Sequence, residues 1–359
     1  MGIARIEYRT LLKFIVDIFL RLGLNGEDAA IAAEVLTDAD VRGIPSHGVG
    51  RILRYVNGVK SGMMLPKAQP TTMRETPGSI LIDANGGMGH PVSFRTMKAV
   101  IDKAEINGSA FATIRNSNHY GIAGYYAMMA LERDMIGISL TNTPALSVPT
   151  FGREVMFGTN PIAFAAPADR EKAFVLDMAT TVTPRGKIEV HDRKKQPIPL
   201  GWAVDKAGRP TTDPHTLLDD MFHRRGGGIL PLGGAGEEFG GHKGYGLAVM
   251  VDVLCAVLAG GAFGPELSDT DTTRRVSHFF GAIKISGFRD PKAFRADMDR
   301  MLDNLRKCPL AEGETRVYFA GLKEFEKTEE AMKIGVPISE ETLQMLQRVG
   351  QEMGVTVPF

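Results

Sequence analysis

The chain has 359 residues, of which 43% are hydrophobic and 23% are charged, and 42 basic residues balance 42 acidic ones. This composition is typical of a globular protein with a substantial core and excludes a disordered chain. Because there is no basic excess, we expect no nucleic-acid partner. The two cysteines, Cys255 and Cys308, lie far apart in the sequence. They predict neither a disulfide framework nor a metal site, and they favour a cytoplasmic protein.

The first sixty residues carry the periodicity of three consecutive helices. An apolar stripe runs through residues 11–22, and Asn25 offers a cap for the second helix. Pro45 then interrupts the pattern. Ser46 is expected to cap a third helix, whose apolar face covers residues 49–59.

Beyond a connection over residues 62–78, short apolar runs alternate with helical patterns. The runs are bounded by turn residues and predict strands at 79–82, 110–114, 136–140, 161–165 and 173–176. Helical patterns are found at 93–107, 120–133 and 291–307, a short strand is expected at 316–319, and a last helix is expected from Ser339. The fold class is therefore mixed α/β.

The longest apolar run covers residues 247–264 and contains Asp252. Since a membrane span needs about 20 uncharged apolar residues, the run predicts a buried helix, and no membrane partner is expected. The N-terminal residues also lack the apolar stretch of a secretory signal.

His47 and Arg51 are the first candidates for chemistry. If Ser46 caps a helix, these two residues lie one turn apart on the same face. The guanidinium suits a carboxylate, and a helix N-terminus keeps the imidazole neutral, ready to accept a hydroxyl proton. The alternative is a capping serine followed by two surface residues.

His119 repeats this arrangement. It follows the polar residues Asn116, Ser117 and Asn118 and precedes a helical pattern, at the end of a predicted strand. Sites in sheet proteins often lie at strand ends, so His119 is a second candidate. A capped helix with a structural histidine remains the alternative.

Residues 241–246, Gly-His-Lys-Gly-Tyr-Gly, open an apolar helix and can bring a phosphate to the backbone beside Lys243. A glycine-rich turn with a solvated lysine is the alternative. Asn160 and Asp177 lie at strand ends, where they either bind a ligand or simply form turns. Residues 87–92 lack the third glycine of GxGxxG, so a Rossmann site is not supported.

Taken in order, eight motifs resemble the malate/L-lactate dehydrogenase family of the second type, over nearly the whole chain. They are SHGVGR (46–51), NHYG (118–121), GTNP (158–161), DMAT (177–180), PLGWA (199–203), PTTDP (210–214), LPLGG (230–234) and GHKGYGL (241–247). The resemblance implies a NAD- or NADP-dependent homodimer with its active site near the subunit boundary. It also implies a non-Rossmann mixed-sheet cofactor domain flanked by helices, residues 76–288, and a helical domain from both chain ends, residues 1–75 and 289–359.

Carried over by position, the resemblance makes His47 and His119 the acid/base candidates without choosing between them. Arg51 would bind the substrate carboxylate, with Ser46 and Asn118 also on the substrate. The implied cofactor-binding residues are Thr159, Asn160, Pro161, Asp177, Met178, Ala179, His242, Lys243, Gly244 and Gly321. One departure concerns Leu322, which stands where the family usually carries Glu, and it leaves NAD versus NADP open.

The implied reaction is hydride transfer between nicotinamide and C2 of a small 2-hydroxy or 2-oxo acid, of the malate or L-lactate type. A reductase of a cyclic imine carboxylate or of a diketo acid is the alternative on the same scaffold. A cofactor-binding protein without turnover is favoured only by Leu322, and no nucleophile motif supports a hydrolase.

Overall fold

The computed structural model describes residues 2–267 and 275–359 as a mixed α/β fold. The α-helices are α1 Tyr8–Arg21, α2 Gly26–Val41, α3 Ile52–Lys60, α4 Gly89–Asn107, α5 Ala123–Met128, α6 Arg185–Arg193, α7 Pro214–Phe222, α8 Gly241–Asp252, α9 Pro291–Arg306, α10 Leu322–Ile334 and α11 Glu340–Met353. The strands are β1 Ile3–Ile6, β2 Thr71–Glu75, β3 Ser79–Asp83, β4 Ser109–Ser117, β5 Met135–Thr141, β6 Ile162–Ala166, β7 Phe174–Met178, β8 Ala203–Val204, β9 Gly228–Ile229, β10 Val276–Lys284 and β11 Val336–Ser339.

A seven-stranded mixed sheet lies at the centre, in the order β2-β3-β4-β10-β5-β6-β7. Strands β3 and β4 pair in parallel, and the other described neighbours in this sheet are antiparallel. The predicted fold class is confirmed, and the five predicted strands correspond to β3–β7. The central strand β10 is not predicted. It is buried on both faces and carries Ser277 and His278, so it shows no alternation of apolar and polar residues.

Polar side chains cap the N-termini of helices near both ends of the chain. Asn25 accepts the N–H of Asp28 at 2.9 Å at the start of α2, as the sequence predicts. Ser339 accepts the N–H of Thr342 at 3.2 Å and starts the last helix. Each contact satisfies an N–H group that has no partner within its helix.

Two large apolar clusters form most of the core. The first joins α1, α2 and α3 to Leu346 of α11. The second lies beneath α4 and α5 and includes Phe280 of β10. Helix α9 packs elsewhere, because its Leu302 lies with Phe319 in a small separate cluster near β7. The predicted division into residues 1–75 with 289–359 and residues 76–288 stays a prediction.

Three expectations about local structure are wrong. The third helix does not start at Ser46, since a 3-10 turn at Val49–Arg51 leads into α3. Residues 120–133 are not one helix, and α5 covers only Ala123–Met128. Among the described strand pairings, none involves residues 316–319, which lead into α10.

The long apolar run forms the end of α8 and a π-helical turn, Val253–Val257. The expected burial holds for only part of the run, because Val251 and Cys255 are fully buried whereas Val249, Val253 and Val257 are 40%, 47% and 54% exposed. Over residues 2–267 and 275–359, no helix is long and apolar enough to cross a membrane.

Candidate active site

The turn that carries His47 is held by a buried carboxylate and not by a serine cap. Asp40 accepts the N–H of Val49 at 2.6 Å. Burial raises the pKa of Asp40 to about 7, and this hydrogen bond opposes the rise. A side chain at Gly48 would overlap the Asp40 carboxylate. The predicted cap at Ser46 is wrong because Asp40 binds the first N–H of the turn, and His47 therefore precedes the helix.

Ser46 is a common partner of His47 and Arg51. Its Oγ lies 3.0 Å from Nδ1 of His47, and its carbonyl oxygen accepts a hydrogen bond from Nε of Arg51 at 2.7 Å. The second contact fixes the orientation of the guanidinium. Because it uses only Nε, the Nη groups of Arg51 can still meet a carboxylate.

Both candidate histidines are neutral near pH 7. The pKa of His47 is lowered to about 4, first by desolvation and then by the charges of Arg51 and Arg54. Desolvation also holds the pKa of His119 well below its ordinary value, and Arg54 and His47 lower it further. The cause is thus burial beside two arginines and not the expected helix N-terminus. A neutral imidazole is the form that can accept a hydroxyl proton.

The loop that carries His119 is clamped to the turn after β3. Asn116 adopts a left-handed conformation with a φ of 54°, and its carbonyl accepts the N–H of Gly86 at 2.8 Å. Asn118 is buried and donates from Nδ2 to the carbonyls of Gly86 and Gly87, at 3.0 and 2.9 Å. The Asn118 amide thus positions the loop, and its role in substrate binding stays a prediction.

The two histidines meet although they come from separate parts of the chain. The ring centroids of His47 and His119 lie 5.7 Å apart, with planes 16° from parallel. Tyr55 is an unpredicted member of the site, and its hydroxyl lies 2.7 Å from Nδ1 of His119. Its spacing of one helical turn from Arg51 is the sequence signal that points to it. His90 is also unpredicted; its Nε2 lies 3.1 Å from the same hydroxyl, and its only sequence signal is the glycine-rich turn before it.

Asp177 joins the predicted cofactor loop to the segment after His119. It lies near the end of β7, where its Oδ2 accepts the N–H of Gly124 at 2.7 Å. The side chain is reachable by solvent, yet desolvation by the surrounding protein raises its pKa to about 6, and the Gly124 contact opposes this rise. The predicted neighbours Met178 and Ala179 are partly exposed beside it.

Asn160 is fully buried, and its side chain is used inside the protein. Its Nδ2 donates to Oδ2 of Asp252 and to a carbonyl of α8, both at 3.0 Å, and its Oδ1 accepts the N–H of Thr143 at 3.1 Å. Only the backbone of Asn160 could therefore contact a cofactor. The flanking Thr159 and Pro161 remain partly exposed.

The N-terminus of α8 has the properties of a phosphate site. It follows Gly240, which is left-handed with a φ of 85°, and no side chain caps its first N–H groups. His242 and Lys243 are exposed there. A side chain at Gly244 would overlap the backbone of Leu232, which holds the helix start close to its neighbouring turn. Uncapped N–H groups beside a lysine fit the pyrophosphate of a dinucleotide.

Gly321 forms the late turn that the resemblance places near the cofactor. Its φ is 93°, and a side chain there would crowd Val175 of β7. The Ala320 carbonyl accepts the N–H of Val175 at 3.0 Å, so this turn lies against the strand that carries Asp177. Leu322 is buried in the small cluster beside α9, where a carboxylate would be desolvated.

Comparison with known proteins assigns the chain to one family. The malate/L-lactate dehydrogenase profile matches residues 6–347. The chain belongs to the malate/L-lactate dehydrogenase family. It is 43% identical over 352 residues to the malate dehydrogenase of Pyrococcus horikoshii, and this alignment covers 98% of this chain and 96% of that protein. It is 37% identical over 348 residues to the L-sulfolactate dehydrogenase of Methanocaldococcus jannaschii, with 96% of each chain covered.

The fold of this dehydrogenase family is found over the whole chain. The crystal structure of malate dehydrogenase from Entamoeba histolytica superposes with a TM-score of 0.96 at 32% identity, covering 100% of both chains. The resemblance drawn from the eight motifs is therefore confirmed, as is the mixed-sheet architecture.

Proposed function

We propose that the chain is a NAD- or NADP-dependent dehydrogenase that transfers a hydride between nicotinamide and C2 of a small 2-hydroxy or 2-oxo acid. The observation that carries this proposal is the meeting of two neutral histidines, His47 and His119, beside the anchored guanidinium of Arg51. Oxidation of a 2-hydroxy acid needs a proton acceptor and a partner for the carboxylate, and this site offers both.

The chain's own residues would orient the acid and move one proton. Arg51 holds the carboxylate, which would place the C2 hydroxyl at the edges of the two imidazole rings, within reach of their Nε2 atoms. A neutral imidazole of His47 or His119 accepts the hydroxyl proton as the C2 hydride leaves, and the resulting imidazolium returns the proton in the reverse direction. The bound nicotinamide cofactor supplies the hydride acceptor or donor. Such acid–base help is typically worth about 10²–10⁴-fold in rate.

The cofactor would lie between the N-terminus of α8 and the end of β7. His242 and Lys243 are suited to its phosphates, and the contact of Asp177 with the segment after His119 brings this edge of the sheet to the proton-transfer site. Because Leu322 supplies no carboxylate to a ribose hydroxyl, the proposal includes both NAD and NADP.

We further propose that acids with a second anionic group, such as malate or sulfolactate, react faster than L-lactate. Arg51 ends the 3-10 turn before α3, and Arg54 follows it by three residues in the first turn of that helix. The charges of both arginines lower the pKa of His47 and of His119, which means that both act within range of the site. The names of the two relatives above agree with a substrate that carries two anions.

The test is a rate screen of malate, sulfolactate, L-lactate and ureidoglycolate with NAD and NADP, using the wild type and Arg54→Gln. We expect malate and sulfolactate to exceed lactate and the variant to lower that preference by about 10-fold, the effect of one hydrogen bond to a charged group. A preference that survives in Arg54→Gln would remove Arg54 from this role. Dinucleotide binding with no turnover of any acid would contradict the dehydrogenase.

The alternative on the same scaffold is reduction of a cyclic imine carboxylate, the activity in the name of a Pseudomonas putida relative. Adding that substrate and a diketo acid to the screen separates the two, because only one class of substrate should turn over at the higher rate.

We also propose that two copies of the chain associate through one apolar face, here called the α8 face. It consists of Val249, Met250, Val253, Val257 and Leu258, each 40–59% exposed. Val249, Val253 and Val257 recur every four residues along α8 and the π-helical turn, and Met250 and Leu258 are their neighbours in sequence. Such a group of exposed apolar residues marks an interaction surface. A second copy is the proposed occupant because the family resemblance implies a homodimer, and identical copies most often pair through the same patch on each.

A further inference from the structure

Tyr55 is a fully buried tyrosine whose hydroxyl lies between two histidines. Its oxygen is 2.7 Å from Nδ1 of His119 and 3.1 Å from Nε2 of His90. The rings of Tyr55 and His90 also pack together, with centroids 4.8 Å apart, and neither residue reaches the surface. Because His119 is partly exposed, the three side chains form a chain that leads from the core to the proposed substrate site.

The direction of these hydrogen bonds follows from the backbone of Gly121. Its N–H lies 3.3 Å from Nδ1 of His119, and a backbone N–H can only donate. Nδ1 of His119 therefore carries a lone pair. The Tyr55 hydroxyl must then donate its proton to that same nitrogen, which leaves the tyrosine oxygen to accept a proton from Nε2–H of His90.

The second nitrogen of His90 agrees with this direction. Nδ1 of His90 is buried without a hydrogen-bond partner among the described residues, and the ring lies beside Phe19, with centroids 6.4 Å apart. In the direction above, this nitrogen carries a lone pair. In the reverse direction, Nδ1 of His90 would be a buried N–H without a partner, and an N–H on Nδ1 of His119 would face the N–H of Gly121. Buried N–H groups without a partner are rarer than unpaired acceptors, which excludes the reverse direction.

We infer that His90 and Tyr55 hold His119 as the tautomer that carries its proton on Nε2. The neutral His119 ring then presents an N–H, and it serves as a hydrogen-bond donor to the oxygen on C2 of the substrate. His47 is the group that accepts the hydroxyl proton, with its own Nδ1–H donated to Oγ of Ser46. The inference rests on the proposed function, and it gives the two histidines different roles.

A fixed donor at this position has a direct chemical use. As the hydroxyl proton moves to His47, negative charge develops on the C2 oxygen, and an N–H that already points at it stabilises that charge without reorganisation. In the other tautomer, a lone pair of His119 would face the oxygen and repel it. Tyr55 and His90 touch neither substrate nor cofactor and are positioning residues, because they act through His119.

The first test reads the tautomer without any turnover. Nitrogen-15 NMR of the histidine rings, in the wild type without cofactor or substrate, distinguishes protonated from unprotonated ring nitrogens, and His119→Gln identifies the signal of His119. We expect Nε2 of His119 to be protonated and Nδ1 to be bare. Tyr55→Phe removes the shorter of the two contacts to Nδ1 and leaves only the Gly121 N–H at 3.3 Å, so it should give a mixture of the two tautomers in which the Nε2–H form still leads. A proton on Nδ1 in the wild type, or a spectrum unchanged in Tyr55→Phe, would overturn the inference.

The control is Thr96→Val. Thr96 is also buried, and its hydroxyl donates to the carbonyl of Val92 within α4, instead of to a histidine. Both variants lose one buried hydroxyl that donates a hydrogen bond, so both are expected to lose some stability. Only Tyr55→Phe should change the His119 signal. The same change in Thr96→Val would show a general loosening of the core and would overturn the assignment.

The second test is kinetic. Tyr55→Phe should lower kcat about 10- to 100-fold, as loss of an orienting partner typically does, while KM for the acid changes less than about 3-fold. His90→Gln, which keeps an N–H donor towards Tyr55, should retain more activity than His90→Leu. Equal rates in the two His90 variants would contradict the role of His90. If the wild type oxidises no hydroxy acid, the proposed function fails, whereas the NMR result still decides the tautomer.

Discussion

The imidazole rings of His47 and His119 lie face to face, with centroids 5.7 Å apart and planes 16° from parallel. At this separation a proton on one ring opposes a proton on the other, and the charge of His47 lowers the pKa of His119 accordingly. Burial and the charge of Arg54 lower both pKa values as well, so both rings are neutral near pH 7. This leaves one ring to donate a hydrogen bond while its neighbour accepts a proton.

Removal of either ring should abolish most of the turnover. We expect His47→Ala and His119→Ala each to lower kcat at least about 100-fold, the lower range for loss of an acid–base group. The measurement is the steady-state rate with the best acid of the substrate screen. His215→Ala, on the exposed start of α7, is the control and should keep the wild-type rate. Near-normal rates in both site variants would contradict the assignment.

The pH dependence of stability should reveal the depressed pKa of His47. Its pKa is about 4 in the folded chain and 6.5 in its ordinary state. Between these values the unfolded chain binds a proton that the folded chain does not, so stability falls as the pH falls through this window. Because the folded and unfolded states differ by at most one proton on this ring, its slope cannot exceed about 1.4 kcal/mol per pH unit, and the partial exposure of the ring makes it smaller.

The measurement is the unfolding free energy in urea between pH 7 and pH 5. His47→Gln should lose stability less steeply over this range than the wild type, whereas His215→Gln, which changes an exposed ring, should follow the wild type. Parallel curves for the wild type and His47→Gln would show that the folded ring is not shielded from protonation.

Sequence patterns predict those features of the fold and the site that depend on residues close together in the sequence. Strands with apolar runs, the Asn25 cap and the histidine motifs belong to this group, because each depends on residues close in sequence. The tautomer of His119 could not be predicted, since its determinants Tyr55 and His90 reach it only through the packing of α3 against α4. The cap at Ser46 was wrong for a similar reason, because the competing carboxylate, Asp40, comes from the preceding helix.

Arg51 should act mainly on substrate binding. Arg51→Met removes the charge and the donors that would meet the carboxylate, and loss of such a hydrogen bond costs about 1.5–3 kcal/mol. We therefore expect KM for the acid to rise about 10- to 100-fold, with a smaller change in kcat. Arg51→Lys keeps the charge but loses the contact between Nε and the Ser46 carbonyl, so its KM should lie between those of the wild type and Arg51→Met. An unchanged KM in Arg51→Met would remove Arg51 from the substrate site.

Asn160 should prove to be a stabilising residue. Asn160→Ala removes a buried donor to Asp252 and leaves the partly buried N–H of Thr143 without its acceptor. We expect a loss of about 3 kcal/mol in unfolding free energy, the cost of leaving buried polar groups unpaired. Thermal unfolding measures it, and Thr342→Ala, partly exposed near the start of α11, is the control with a small effect. Unchanged stability with weaker dinucleotide binding would instead place the side chain in the cofactor site.

The α8 face should hold two copies of the chain together. Val253→Glu places a charge in the middle of this face, where burial against a second copy would require its desolvation. We expect sedimentation to show a mass near twice 38.9 kDa for the wild type and a single-chain mass for the variant. Ile106→Glu is the control, because Ile106 is 84% exposed on α4, outside the α8 face, and should leave the mass unchanged. A wild type that sediments as a single chain would leave the α8 face without the partner proposed for it.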